Sequence, residues 1–181
     1  MNSIQISLTA KNYANALKKL AQDGVLSYDD ILTNLENIVT ICDESNELQN
    51  VLNNPAISDE IKYSIVDEVF SKDVDEKIIN FLKILLEKKR FGELIGILEA
   101  YRNELDEIKN IQRVMVTSAV PLKDEYKTRL AEKLQNKLNK KIVANWSVDE
   151  EIIGGLVVKI NDDIIDSSLK NKLENLSKNI I

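Results

Sequence analysis

The sequence contains no histidine and only one cysteine in 181 residues. Histidine is the commonest general base and the commonest metal ligand near neutral pH, so its absence argues against an acid–base enzyme and against a histidine-ligated metal. A lone cysteine excludes an internal disulfide framework. Because Cys42 lies on the apolar face of a predicted helix, we expect its thiol to be buried and unreactive.

Turn-forming residues and long apolar runs are also scarce. Only 5 glycines and 2 prolines are present, which favours a mainly helical chain. The longest apolar run, residues 152–158, has seven residues and includes two glycines, whereas a membrane-spanning helix needs about 20. Residues 1–8 lack the basic and apolar regions of a signal peptide. We therefore expect no direct membrane insertion.

The net charge of −6 is distributed unevenly along the chain. Residues 1–110 carry 12 basic and 20 acidic side chains, whereas residues 111–181 carry 12 and 10. An acidic first part argues against a nucleic-acid partner, because phosphates require a basic surface. The change of sign predicts two units with different neighbours.

Six segments within residues 1–110 repeat apolar residues with the 3.6-residue period of an amphipathic helix. Ser27 precedes the second segment and Ser58 the fourth, in the positions of helix caps. The fifth segment, residues 75–88, is apolar almost all round. Several amphipathic helices joined by short loops predict an N-terminal six-helix bundle.

The period changes near residue 110. The predicted strands cover residues 113–120, 142–148, 156–160 and 164–165, and the predicted helices cover 123–139 and the chain from about 167. Ile142, Ala144, Trp146 and Val148 alternate onto one face of their strand. Gly154 and Gly155 predict a strand start or bulge with positive φ. Residues 111–181 are therefore predicted to form a small α+β domain, and the whole chain is mainly α.

One pattern with possible chemistry is the D-D-x-x-D arrangement of Asp162, Asp163 and Asp166. It offers an alternative function, a magnesium-dependent small transferase or lyase. Hard cations need several converging oxygens, and this segment is predicted to be a turn that leads into a strand, where the carboxylates do not converge. We therefore assign no catalytic residue, no metal site and no cofactor.

Two helices carry more apolar surface than a bundle requires. The first has a second apolar line at Tyr13, Ala16 and Leu20, and the fifth has one at Phe81 and Ile84. A bundle helix needs a single stripe, so a second one indicates either full burial or an exposed groove for a partner helix. The pattern alone leaves both readings open.

Five motifs, taken in order along the whole chain, resemble the ATP synthase delta subunit family, which includes the mitochondrial oligomycin-sensitivity-conferring protein. The motifs are Tyr13-Ala14-x-Ala16-Leu17, Asn54-Pro55-Ala56-Ile57-Ser58 with Lys62, Phe81-Leu82-x-x-Leu85-x-x-Lys88-x-Arg90-Phe91, Ala119-Val120-Pro121-Leu122, and residues 153–160 followed by Asp163, Asp166 and Ser168.

This resemblance implies a non-catalytic stator subunit of a rotary proton-translocating ATP synthase. It implies that domain 1–110 receives the N-terminal helix of an alpha subunit in a groove between helices one and five, and that domain 111–181 binds the b-subunit stalk. By motif position Tyr13, Ala16 and Ile84 match the groove, while Leu20 and Phe81 are added from the apolar line. The implied location is the cytoplasmic face of a bacterial plasma membrane, held there through the complex. An unrelated helical adaptor is a further alternative.

Overall fold

The computed structural model describes residues 6–161 and 163–178 and confirms the predicted fold class. The chain divides into two compact units, one ending at Leu105 and the other starting at Asp106. The division lies a few residues before the predicted boundary at 110, because the last turn of the sixth helix groups with the second unit. Six helices form the first unit, and a small α+β unit follows.

The helices of the first unit follow each other with short connections. Their bounds are α1 Leu8–Gln22, α2 Tyr28–Glu44, α3 Asn46–Asn53, α4 Asp59–Phe70, α5 Glu76–Glu87 and α6 Leu94–Ile108. A short 3-10 turn, Phe91–Glu93, leads into α6.

Side-chain caps explain where most of these helices begin. Ser7, Ser27, Ser45 and Asp75 each accept a hydrogen bond from a backbone N–H in the first turn of α1, α2, α3 and α5 respectively. Such a bond satisfies one of the N–H groups that a helix leaves unpaired. Ser58 occupies the predicted cap position of α4, but its side chain makes no capping hydrogen bond.

The core of the first unit is centred on α5, half of whose residues are buried. These residues are Ile78, Ile79, Phe81, Leu82, Leu85 and Leu86. Helix α5 packs against α2 and α4. Cys42, on α2, is only 4% exposed, and burial raises the pKa of its thiol to about 11. The thiol is therefore protonated at neutral pH, as expected of a buried, unreactive cysteine.

The second unit contains a four-stranded sheet with the strand order β2-β1-β3-β4. Its elements are β1 Ile111–Ser118, α7 Asp124–Leu138, β2 Lys141–Val148, β3 Leu156–Ile160, β4 Asp163–Asp166 and α8 Leu169–Lys178. Strand β1 pairs parallel with β2 and antiparallel with β3, and β3 pairs antiparallel with β4. The parallel pair is connected through α7, as parallel strands require a crossover.

The core of the second unit is small. Its buried apolar residues are Val114, Val116, Leu134 and Val158, and Trp146 packs partly buried against them. Val148 alternates onto the same face of β2 as Trp146, but its side chain is 50% exposed. Because β2 is an edge strand and ends at Val148, the last side chain lies beyond the core.

Gly155 stands immediately before β3 with φ +84, which confirms the predicted positive φ. A Cβ at this position would lie 2.4 Å from the carbonyl oxygen of Ser167. The backbone crossing is held by hydrogen bonds from Ser167 N–H to the Leu156 carbonyl and from Leu169 N–H to the Gly154 carbonyl, each 2.9 Å long. Only glycine allows the two backbone segments to approach this closely.

Gly155→Ala is expected to destabilise the second unit by roughly 3 kcal/mol or more, because a positive φ costs about 1–2 kcal/mol and the clash adds to it. Urea unfolding followed by the fluorescence of Trp146, the one tryptophan of the sequence, measures the loss. The control is Gly24→Ala, followed by far-ultraviolet circular dichroism. Gly24 has φ +73 but no atom within 4 Å of the added Cβ, so we expect a loss of about 1 kcal/mol. Equal losses at both sites would contradict the role of the backbone crossing.

Candidate partner-binding groove

The predicted site residues lie on two neighbouring helices of the first unit. Tyr13, Ala16 and Leu20 lie on α1, and Phe81 and Ile84 lie on α5. The rings of Tyr13 and Phe81 meet edge to face, with centroids 5.9 Å apart and an interplanar angle of 76°. This aromatic contact brings the apolar lines of the two helices together; we call the surface formed by these five residues the α1–α5 surface.

The α1–α5 surface is graded from buried to exposed. Phe81 is 8% exposed, Tyr13 and Leu20 are partly buried, Ala16 is exposed, and Ile84 is 46% exposed. Of the two readings left open by the sequence, full burial therefore does not describe Ala16 or Ile84. The binding of a partner helix on this surface remains a prediction.

The opposite face of α1 explains why this surface points outward. Ala10, Ala14 and Leu17 are fully buried in the core. Polar contacts fix the same helix to the α6 segment: the Ser7 hydroxyl donates to the Glu93 carboxylate at 2.7 Å, and the Lys18 ammonium lies 2.6 Å from the Glu104 carboxylate. Because one face of α1 is held in this way, the helix cannot rotate freely about its axis. Its second apolar line therefore stays at the surface.

Helix α1 also carries groove residues that the sequence reasoning missed. A shallow depression of about 370 Å³ is lined by Thr9 and Asn12 together with Tyr13 and Ala16. Asn12 and Thr9 lie one and two turns before Ala16 on the same side of α1, so helical spacing could have identified them, but only apolar residues were considered in the sequence. The lining is uncharged. It can accommodate an apolar side chain and offer a hydroxyl and an amide for hydrogen bonds, and it contains no nucleophile paired with a base.

A positive charge lies close to the α1–α5 surface in an otherwise acidic unit. Lys88 follows the last residue of α5, and its pKa is raised chiefly by a hydrogen bond from its ammonium to the Glu87 carboxylate at 2.8 Å, with smaller contributions from Tyr13 and Tyr63. Lys88 therefore stays protonated at physiological pH, and its charge is also favourable at the negative end of the helix dipole.

The structure does not support the magnesium alternative. Asp162 lies outside the described residues. Asp163 and Asp166 are exposed at the two ends of β4. The pKa of Asp166 is lowered by hydrogen bonds from the side chain and backbone N–H of Ser168, so this carboxylate shapes the turn into α8. In the described part of the chain, no group of three or more potential acidic or thiol ligands comes together.

The second unit has its own exposed apolar line, on α8. Leu169, Leu173 and Leu176 follow each other at helical spacing and are 46%, 57% and 58% exposed. Ile164 and Ile165 of β4 are also exposed. A continuous apolar line of this kind on a small domain is typical of a surface that another molecule covers. Among the described residues, no helix has the length and hydropathy needed to cross a bilayer.

Comparisons with known proteins agree with one another. The family model described as "ATP synthase delta (OSCP) subunit" matches residues 9–180. The ATP synthase subunit delta of Chlorobium phaeobacteroides is 36% identical over 174 residues, 96% of each chain. That of Clostridium acetobutylicum is 36% identical over 168 residues, 93% of each chain.

The fold has a counterpart in a solved assembly. A chain in the cryo-EM structure of the Toxoplasma gondii mitochondrial ATP synthase hexamer superposes with a TM-score of 0.69 at 19% identity. The superposition covers 96% of this chain and 97% of the other. At this identity the comparison shows a shared fold and nothing finer.

These findings first define the class: the chain is a non-catalytic structural component of the hetero-oligomeric ATP synthase. Within that class, the chain belongs to the ATP synthase delta (OSCP) subunit family. The resemblance inferred from the sequence motifs is therefore confirmed, and the magnesium-dependent enzyme is not favoured.

The graded exposure of the α1–α5 surface predicts two different costs on mutation. Ala16→Asp should change the free energy of unfolding by less than about 1 kcal/mol, because an exposed helical site loses only helix propensity. Phe81→Ala should cost about 3 kcal/mol, because it leaves a cavity under Tyr13. Urea unfolding followed by circular dichroism measures both. A similar loss for the two variants would show that Ala16 belongs to the core.

Proposed function

We propose that this chain is the stator subunit that links the catalytic alpha3-beta3 head of a rotary proton-translocating ATP synthase to the b-subunit peripheral stalk. The observation that carries the proposal is the half-exposed apolar line shared by α1 and α5, in a chain that belongs to the delta family. The second exposed line, on α8, supports a second partner. Each unit would then bind one side of the complex.

The α1–α5 surface is suited to an amphipathic helix, which we take to be the N-terminal helix of an alpha subunit. Such a helix presents apolar side chains at intervals of three and four residues. Phe81 lies at the floor beneath Tyr13, and Ile84 and Leu20 offer partly exposed apolar contacts. Ala16 has the small side chain that permits a second helix to approach closely, and Lys88 supplies a charge for an acidic residue at the edge of the partner.

The second unit would bind the end of the b-subunit stalk. Leu169, Leu173 and Leu176 lie along one side of α8 and form the apolar half of a helix–helix contact. The small core of this unit gains little stability from its own burial. Covering the line on α8 with a stalk helix would therefore add apolar burial that the isolated unit lacks.

The function is mechanical. Rotation of the central stalk applies a torque to the head, and the head must be held still relative to the membrane-embedded part. An interface with a Kd of about 1 μM and a typical association rate dissociates in about a second. The two surfaces of a dissociated interface remain tethered within one complex, so their effective concentration is about millimolar. They therefore rebind each other before the complex comes apart. Two modest interfaces in series can therefore keep the head attached.

The proposed location is the cytoplasmic face of a bacterial plasma membrane, with attachment through the other subunits. The support is the similarity to bacterial delta subunits over nearly the whole chain.

Ala16→Asp is expected to weaken binding of a synthetic alpha-subunit N-terminal peptide by at least about 100-fold, because it buries a carboxylate in an apolar interface. Titration calorimetry on the full chain measures the affinity. The matched control is Asn15→Asp, which adds the same charge at an exposed neighbouring position of α1 outside the depression, and its affinity should stay within about threefold. Unchanged affinity in a folded Ala16→Asp protein would refute the groove assignment.

A reciprocal pair of variants tests the linking role. Ala16→Asp should lose co-elution with the alpha3-beta3 head and keep the b subunit, whereas Leu173→Glu should keep the head and lose the b subunit. Size-exclusion chromatography with each purified partner measures both. Loss of both partners in either variant would indicate unfolding or a shared interface, and circular dichroism separates these two outcomes. Retention of both partners by Leu173→Glu would place the stalk contact elsewhere than on α8.

A further inference from the structure

Strand β2 forms one edge of the sheet and pairs only with β1. The N–H groups of Lys141 and Asp149 donate to the carbonyls of Asn110 and Ser118, at the two ends of β1, each at 2.9 Å. Successive residues of a strand direct their backbone groups to alternate sides. The odd-numbered residues of β2 therefore face β1, and the even-numbered residues face outward.

Four residues of β2 thus present a backbone N–H and a C=O to the open edge: Ile142, Ala144, Trp146 and Val148. In the described part of the chain, none of these groups makes a hydrogen bond to another residue. Edge strands are usually guarded by shortness, proline, a bulge or charges. Strand β2 has eight residues, no proline and an unbroken register with β1, and its one charged residue stands at its start. Its edge is therefore open to another strand.

The two ends of β2 carry opposite charges. Lys140 and Lys141 stand at its start, and Asp149, Glu150 and Glu151 follow its end. A second copy of β2 running antiparallel would place its acidic end opposite the basic start of the first. Opposite charges across a strand pair are stabilising, whereas a parallel copy would bring like charges together. Charge complementarity therefore favours an antiparallel copy of β2 itself.

One register uses every outward backbone group. In an antiparallel pair, residues that face the partner strand must stand opposite residues that face back. When Ile142 lies opposite Val148 of the second copy, Ala144 lies opposite Trp146 of that copy, and all the outward N–H and C=O groups are paired. A shift of two residues in either direction leaves some of them without a partner.

The side chains agree with this register. It places Lys141 opposite Asp149 of the second copy; both are exposed, and Asp149 continues the strand in extended conformation. Val148 is 50% exposed beyond the core of its own unit, and Ile142 of the second copy would cover it. The register thus accounts for an apolar side chain that the isolated unit leaves in water.

We propose that two copies of this chain pair antiparallel through β2, so that their two sheets join into one continuous sheet. The copies are related by a two-fold axis perpendicular to the sheet, which passes beside Asn145. The inference rests on the second unit alone and does not depend on the proposed stator role. The pairing protects a strand edge that unrelated chains could otherwise use.

Cysteine cross-linking tests the register. Asn145 lies opposite itself across the two-fold axis, at a non-hydrogen-bonded position where the two Cα atoms are about 4.5 Å apart, a separation that a disulfide spans. Asn145→Cys should give a disulfide-linked dimer of the full chain under mild oxidation, measured by non-reducing electrophoresis. The native Cys42 is buried and does not compete.

The matched control is Ser147→Cys. Ser147 is exposed on the same face of β2, but it lies opposite Val143 of the second copy, so Ser147→Cys should cross-link at least about tenfold more slowly. Equal rates in the two variants, or no cross-link in Asn145→Cys, overturn the proposed pairing.

Sedimentation equilibrium measures the association of the full chain. The weight-average mass of the wild type should rise between about 10 μM and 1 mM. Ala144→Pro should weaken association at least about tenfold, because it removes an outward N–H and no bond to β1. Lys141→Glu should also weaken it, because it brings like charges together. The control Lys133→Glu makes the same charge change on exposed α7 and should leave association unchanged.

Circular dichroism verifies the fold of each variant, and if Ala144→Pro unfolds, Lys141→Glu and Asn145→Cys still decide. A wild-type chain that is monomeric at about 1 mM overturns the proposal, as does undiminished association of folded Lys141→Glu. Hydrogen exchange identifies the other occupant. If the wild type is monomeric and its outward β2 amides become protected only when the b subunit is added, the edge takes a strand of that subunit and self-pairing is refuted.

Discussion

The burial of α5 is the constraint on which the first unit depends. Half of its residues are withdrawn from water, and its neighbours α2 and α4 are positioned by the need to cover them. The contact between Tyr13 and Phe81 extends this cover to α1. Coverage stops at Ile84, which remains nearly half exposed. The surface that we propose for a partner helix is therefore the part of the α5 environment that the unit does not cover by itself.

The second unit has a smaller apolar core than the first. Four buried apolar residues form its core, while three leucines of α8 stay outside it. An ion pair adds stability that this small core does not provide. The Arg113 side chain donates to the buried carboxylate of Asp106 at 3.1 Å, and this charge-assisted bond holds β1 to the helical turn that precedes it. A core of this size is stable only narrowly, which makes coverage of α8 by a partner energetically useful.

The sequence predicted the elements well because their signals are local. The 3.6-residue period, the Ser27 cap and the positive φ of Gly155 each depend on a few neighbouring residues. Exposure along an element was harder to predict. Val148 continues the alternation of β2 but lies past the end of the core. Thr9 and Asn12 were missed because a groove also contains polar residues, whereas an apolar search detects only its hydrophobic part.

The strand order has a consequence for the chain as it leaves the ribosome. Strand β1 is synthesised first but lies inside the sheet, between β2 and β3, so the four-stranded sheet cannot be complete until Asp166, the last residue of β4, has been synthesised. The first unit ends at Leu105, so all of its residues are synthesised before the first strand of the second unit. The bundle, with its α1–α5 surface, can therefore be complete while the second unit is still being made, and the proposed contact with the head can form before the contact with the stalk.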